Sequence, residues 1–135
     1  MARDFGGVFD YFWRNVNLVV ANPIELCDIS QARNVDQLNG FSKLINYFFQ
    51  IKFEGAIALI KRGSCSFMEK AYAAEQGGAI GAIIYNSDQN DIDSAIDMID
   101  DESGLVINIP VLWIVGKNGH MMVESMLDVR TLIKF

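Results

Sequence analysis

Short runs of apolar residues, each bounded by turn-forming residues, recur along the chain and predict buried β-strands. They lie at residues 16–23, 55–62, 79–86 and 107–116. The first run stops at a proline, which cannot donate a hydrogen bond to a neighbouring strand, and the last is entered through another proline. A further apolar run at residues 44–53 is long enough to be either a strand or a helix.

The segment between the second and third of these strands predicts a helix. Ser66 and Glu69 have the spacing of a capping box, in which the two residues satisfy each other's backbone N–H groups. Gly77 and Gly78 end the helix, because glycine readily adopts the left-handed conformation found there. A strand, a helix and a second strand in this order predict a parallel βαβ unit.

The remaining pattern is more polar. Residues 28–43 and the acidic residues 88–104 predict mainly loops. Asn118 is a candidate cap for a helix over residues 119–127. A half-exposed final strand is predicted by the alternation of Val129, Thr131, Ile133 and Phe135.

Composition and charge narrow the class of protein. The chain has 135 residues, of which 51% are hydrophobic and 21% charged, as expected for one globular domain. Its net charge of −6 and its scattered basic residues argue against a nucleic-acid partner. No apolar run approaches the length of a membrane span. The first residues lack the pattern of a signal peptide, which by itself predicts a cytosolic protein.

The two cysteines leave three interpretations open. Cys65 precedes the predicted helix and lies near Arg62 in sequence, so its thiolate would be favoured and could act as a nucleophile. Its only candidate base is His120, the single histidine. Alternatively, Cys65 forms a disulfide with Cys27, or it packs as a small apolar residue. A structural zinc site needs more histidine and cysteine ligands than the chain has.

Other cofactor motifs are absent from the sequence. The acidic segment does not fit a calcium-binding EF-hand, because counting from Asp88 places Ile92 at a ligand position and Asp93 where glycine is required. The spacing of the glycines matches no phosphate-binding loop, and no nucleophile elbow occurs. The residues alone therefore predict neither a cofactor nor a catalytic constellation.

Several motifs follow one another in order over residues 16–127. A strand ends in an Arg-Gly-x-Cys-x-Phe turn and is followed by a helix, a glycine-rich break, a strand ending near asparagine, and a later Ile-Pro pair. The positions are Arg62, Gly63, Cys65, Phe67, Gly77, Gly78, Asn86, Ile109 and Pro110. This ordered series resembles the protease-associated (PA) domain family.

The resemblance implies a single PA domain over residues 1–135, with a compact, β-rich α/β fold. In that fold mixed strands form an open barrel or sandwich with flanking helices. It also implies a Cys27–Cys65 disulfide, as in PA domains of the secretory pathway. Relative to the family, residues 42–53 look like an insertion.

The function implied is that of a secreted or secretory-pathway interaction module, with no catalytic residues and no cofactor, that binds a protein or peptide. An alternative is the luminal part of a membrane protein, such as a sorting receptor or a RING-type ubiquitin ligase. Loops on a rigid scaffold usually carry recognition. The predicted contact regions are therefore the acidic loop 88–104 and the turn 62–66, with Arg62, Gly63, Ser64 and Ser66.

Overall fold

The computed structural model describes residues 5–7, 15–27 and 53–133. The strands are β1 (Leu18–Val20), β2 (Ile57–Lys61), β3 (Gly81–Tyr85) and β4 (Val111–Ile114), and the helices are α1 (Phe67–Gln76) and α2 (Gly116–Ile133). Each of the four strands predicted from bounded apolar runs is present. The predicted loop at 28–43 and all but the last residue of the insertion at 42–53 lie outside the described residues.

The four strands form one sheet in the order β1-β2-β3-β4, and all three pairings are parallel. The register aligns Ala58 with Ala82 and Ile83 with Leu112. A parallel sheet is stable only when both of its faces are covered. The α/β class and the βαβ unit formed by β2, α1 and β3 are thereby confirmed.

Alternate strand residues supply the two faces. One face packs against α1 and holds Ala58, Ile60, Ala82, Ile84 and Val111. The opposite face packs against α2 and holds Val20, Leu59 and Tyr85. Every one of these side chains is buried. Because a strand places successive side chains on opposite sides, continuous apolar runs are what a sheet buried between two helical layers requires.

Helix α1 begins as its sequence predicts. The Glu69 N–H donates to Ser66 Oγ at 3.1 Å, and the Ser66 N–H donates to Glu69 Oε2 at 3.2 Å. The helix ends at Gly77, whose N–H still bonds to backbone carbonyls of the last turn, and Gly78 follows at φ +89°. Both the capping box and the glycine stop are confirmed, although only the second glycine is left-handed.

The predicted cap of the last helix is wrong. Helix α2 begins at Gly116, so Asn118 lies inside its first turn. The cap comes from the acidic segment instead, because Asp91 Oδ2 accepts the Gly116 N–H at 2.9 Å and Asp91 O accepts the Lys117 N–H at 2.9 Å. A carboxylate at this end also interacts favourably with the helix dipole.

The predicted final strand is also wrong. Helix α2 continues to Ile133 and includes Val129 and Thr131. No glycine or proline occurs between residues 120 and 133 to end it. The β-branched residues in this stretch cost a helix only a few tenths of a kcal/mol each, which is about what host–guest propensities give. The helix therefore extends through a segment whose alternation suggests a strand.

The acidic segment between β3 and β4 has no helix or strand, as predicted. Met98 and Ile107 are buried in the core with residues of α1, and these contacts hold the segment between β3 and β4 to the domain. Ile92 and Ile99 of the same segment are exposed. No helix among the residues that the structure describes is both long and apolar enough to cross a membrane.

Candidate functional site

The turn 62–66 lies at the carboxyl edge of the sheet, where ligands of open parallel sheets commonly bind. The Arg62 N–H donates to Tyr85 O at 2.9 Å, which extends the β2–β3 pairing into the turn. The segment 22–27, which follows β1, crosses this edge beside the turn, since Ile24 O accepts the Lys61 N–H at 2.9 Å. The segment 22–27 thus bonds to the last residue of β2, and β3 bonds to the first residue of the turn.

A disulfide joins these two segments. Cys27 and Cys65 are bonded, with their Cα atoms 5.6 Å apart, as the resemblance implied. Cys65 consequently offers no free thiol for the nucleophilic interpretation. His120 has other contacts, because its Nε2 lies 3.0 Å from Ser87 O and its ring packs edge-on against Tyr85.

The middle of the turn requires an unusual backbone. Gly63 has φ +133°, and a Cβ placed there would lie 2.9 Å from Glu25 Oε1. Ser64 follows at φ +67° and donates its hydroxyl to Glu25 Oε2 at 2.5 Å. Glycine at the first position and a hydrogen-bonding residue at the second suit this conformation. Gly63 and Ser64 therefore shape the turn.

Arg62 lies over two aromatic rings. Its Cζ is 5.8 Å from the ring centroid of Phe67 and 5.7 Å from that of Trp113, and the two rings meet edge-to-face at 5.9 Å. Trp113 is held in turn by its indole N–H, which donates to Ser94 O at 3.4 Å. Arg62 is exposed, and within the described part of the chain its guanidinium forms no ion pair. Cation–π contacts orient the guanidinium and leave its N–H donors open.

Ser66 connects the turn to the acidic loop. Besides capping α1, its Oγ donates to Asp101 Oδ2 at 2.5 Å, and the Asp101 N–H donates to Met68 Sδ at 3.2 Å. Hydrogen bonds from Ser103 and then from Ser66 lower the pKa of the Asp101 carboxyl. The structure thus places part of the loop 88–104 beside the turn 62–66. We call the exposed face formed by Arg62, Ser64, Ser66, Phe67, Trp113 and Asp101 the carboxyl-edge surface.

Lys70 lies beneath this surface, and its role was not predicted. Its side chain is fully buried, and its Nζ donates to Glu25 O and to Gly63 O at 2.6 Å each. Burial lowers its pKa to about 8, against the opposing effect of the Glu25 and Glu69 carboxylates. The sequence does indicate that Lys70 is buried, because it lies three residues after Phe67 and therefore on the apolar face of the helix.

Two other features lie on the face of the sheet that packs against α2. Tyr85 is buried with no hydrogen-bond partner for its hydroxyl among the described residues, and burial raises its pKa to about 12. A groove of about 480 Å³ separates α2 from β1 and is lined by Leu18, Asn118, Met121, Met122, Ser125 and Met126. The residues described contain no cluster of three or more potential metal ligands.

Comparison with known proteins identifies the family. The sequence pattern that defines the PA domain family matches residues 15–122, which are most of the chain. The chain belongs to the PA domain family. The match includes both cysteines of the disulfide, the whole turn 62–66 and the acidic segment that reaches it.

Three similar proteins differ in how much of their length this PA domain covers. A PRADC1-like protein of Drosophila melanogaster is 38% identical over 120 residues, 87% of this chain and 53% of that protein. Signal peptide peptidase-like 3 of Arabidopsis thaliana is 36% identical over 94 residues, 70% of this chain but 16% of that protein. The solved structure of a zinc aminopeptidase, BSAP from Bacillus subtilis, shares 37% identity over 56% of this chain and 17% of its own, with a TM-score of 0.44. The PA domain thus spans about half the length of the first relative and a small part of the others.

Proposed function

We propose that this PA domain is a non-catalytic module that binds a protein or peptide through the carboxyl-edge surface. The observation that carries the proposal is the exposed Arg62 guanidinium, which lies over Phe67 and Trp113 without an ion pair among the described residues. A guanidinium held in place by ring contacts loses little further side-chain entropy when it binds a carboxylate or a peptide carbonyl.

The neighbouring side chains support Arg62 as the principal contact. The hydroxyls of Ser64 and Ser66 donate to Glu25 and Asp101, so they shape the surface, whereas the guanidinium remains open. Arginine and aromatic residues are enriched among the contacts that dominate protein interfaces. Arg62 with its two rings has that composition.

The disulfide supports a location in the secretory pathway or outside the cell, where disulfides form and persist. The same bond occupies the only two cysteines, which supports a binding role over thiol-dependent catalysis.

The experiment uses the oxidised chain as bait for secreted proteins, followed by affinity measurement on the captured partner. Arg62→Ala is compared with Lys117→Ala, which removes an exposed charge from α2. We expect Arg62→Ala to weaken binding by about tenfold or more, as truncation of a principal interface contact does. Lys117→Ala should bind like the wild type, and circular dichroism should show both variants folded. Wild-type affinity in Arg62→Ala would contradict the proposal.

A second candidate is the same module within a longer membrane protein, such as a sorting receptor or a RING-type ubiquitin ligase. It is supported by the match to the signal peptide peptidase-like protein, in which the similar segment is 16% of the whole. An antibody against the PA domain would distinguish the two in cell extracts. A band near 15.1 kDa favours the isolated module, and a much larger band in the membrane fraction favours the longer protein.

A further inference from the structure

The disulfide lies against a buried cation. Lys70 Nζ is 3.6 Å from Cys27 Sγ, and its bonds to Glu25 O and Gly63 O fix its position. An ammonium has three N–H donors, and the two carbonyls occupy two of them. The third is therefore available to the sulfur of Cys27.

The two sulfurs have different surroundings. Among the described residues, a cation is within hydrogen-bonding distance of Cys27 Sγ but not of Cys65 Sγ. Cys65 lies in the turn before the cap of α1, and both cysteines are only half-buried. The dipole at the start of α1 favours a Cys65 thiolate with about half of a unit charge, whereas the Lys70 ammonium beside Cys27 Sγ carries a full one. Cys27 is therefore the leaving group whose negative charge is better stabilised.

The charged groups around Cys27 have opposite effects on a thiolate at this position, because one is a cation and two are carboxylates. Lys70 faces the sulfur from α1, while Glu25 and Glu69 interact with Lys70 from the segment 22–27 and from α1. The Glu25 carboxylate accepts the Ser64 hydroxyl, which disperses part of its charge. Burial disfavours the Lys70 ammonium and the two carboxylates favour it, so Lys70 is mainly protonated near pH 7.

We propose that the Cys27–Cys65 disulfide is a site of exchange with low-molecular-weight thiols, with Cys65 as the attacked sulfur and Cys27 as the leaving thiolate. The incoming thiolate forms a bond to Cys65 Sγ while the bond between the two cysteines breaks. The electron pair of the broken bond remains on Cys27 Sγ, beside the Lys70 ammonium. One thiolate is consumed and one is formed, so the step needs no further oxidant or reductant.

The exchange would alter the carboxyl-edge surface. The disulfide is the covalent link between the segment 22–27 and the turn 62–66. Once it is opened, the two segments are joined by the hydrogen bonds that Lys70 and Glu25 make, which are not covalent. The effect on partner binding rests on the proposed function. The exchange itself is measured without a partner, so its failure and the failure of the proposed function are separate outcomes.

The direct test incubates the oxidised full chain with reduced glutathione near pH 7, followed by acid quenching, alkylation and peptide mass analysis. We expect glutathione on Cys65 and the alkyl group on Cys27, with a preference on the order of tenfold over the reverse pattern. Lys70→Met should lose this preference, whereas Lys117→Met should keep it. Equal labelling, glutathione mainly on Cys27, or no mixed disulfide in the wild type would overturn the proposal.

A second measurement uses Cys65→Ser, which leaves Cys27 as a single thiol. The pH dependence of its alkylation should have a midpoint at least about one pH unit below the usual 8.5. Adding Lys70→Met should return the midpoint to 8.5 or higher. A midpoint of 8.5 or above in the folded single variant would refute the role of Lys70. If Cys65→Ser does not fold, the glutathione pattern of the wild type decides alone.

Discussion

Replacing Lys70 with methionine keeps an unbranched chain in the core but removes the ammonium that bonds to Glu25 O and Gly63 O. Hydrogen bonds from a charged donor contribute about 1.5 to 3 kcal/mol each, or about 3 to 6 kcal/mol for two. Two effects reduce this loss. Gly63 O still accepts the Cys65 N–H at 2.8 Å, and the cost of burying an ammonium disappears. We expect the free energy of unfolding to fall by about 2 to 4 kcal/mol.

The assay is denaturant unfolding of the oxidised protein, followed by far-ultraviolet circular dichroism. Lys117→Met is the matched control, because Lys117 is exposed on α2 and, among the residues that the structure describes, its side chain forms no hydrogen bond or ion pair. Its free energy of unfolding should stay within about 0.5 kcal/mol of the wild type. Wild-type stability in Lys70→Met would show that the carbonyls of Glu25 and Gly63 do not depend on the ammonium.

The stability difference between the wild type and Lys70→Met should depend on pH. Burial lowers the pKa of Lys70 from 10.5 to about 8, so between these values the unfolded chain binds more protons than the folded protein. The stability of the wild type relative to Lys70→Met should therefore rise as the pH increases from about 8 to 10.5. Urea titrations at several pH values check this. A difference that is constant or falls over this range would contradict it.

Three further changes have expected outcomes. Ser66→Ala removes the side-chain cap of α1 and should cost about 1 kcal/mol in denaturant unfolding; an unchanged midpoint would exclude that cap as a stabilising contact. Gly119→Ala places a Cβ 2.2 Å from the tyrosine at the end of β3 and should cost about 1 to 3 kcal/mol through overpacking, measured in the same way. Asp91→Ala should lower the melting temperature at pH 7, since its carboxylate accepts the Gly116 N–H. Hydrogen bonds, first that of the Ser94 hydroxyl, hold the pKa of Asp91 far below its usual range. That stabilisation is complete above about pH 4 and lost as the pH falls through the folded-state pKa, so the variant should lose less stability than the wild type in acid.

The features that were predictable from sequence depend on residues close together in the chain. The cap of α1 needs only Ser66 and Glu69, which are three positions apart. Each described strand follows from a short apolar run, which is buried on both faces in β2 and β3, and the short crossover through α1 requires the parallel pairing of these two strands. The disulfide followed from the family resemblance.

The features that were missed depend on contacts between distant residues. The cap of α2 is Asp91, which precedes Gly116 by 25 positions, whereas the residues near the helix in sequence predicted Asn118. Likewise, Lys70 is buried because the carbonyls of Glu25 and Gly63 converge on it from two other segments. Sequence spacing near a residue does not reveal such partners.

The acidic segment is held by Asp91 and Asp101, and the residues between these two aspartates make few contacts with the rest of the domain. Asp91 caps α2 and Asp101 bonds to Ser66, while the next internal anchor after Ser94 is the buried Met98. Lengthening a loop costs little free energy once its ends are held. Residues 95–97 are therefore an acceptor position for a grafted peptide epitope or a fluorophore tag, displayed by the PA domain without altering the turn 62–66.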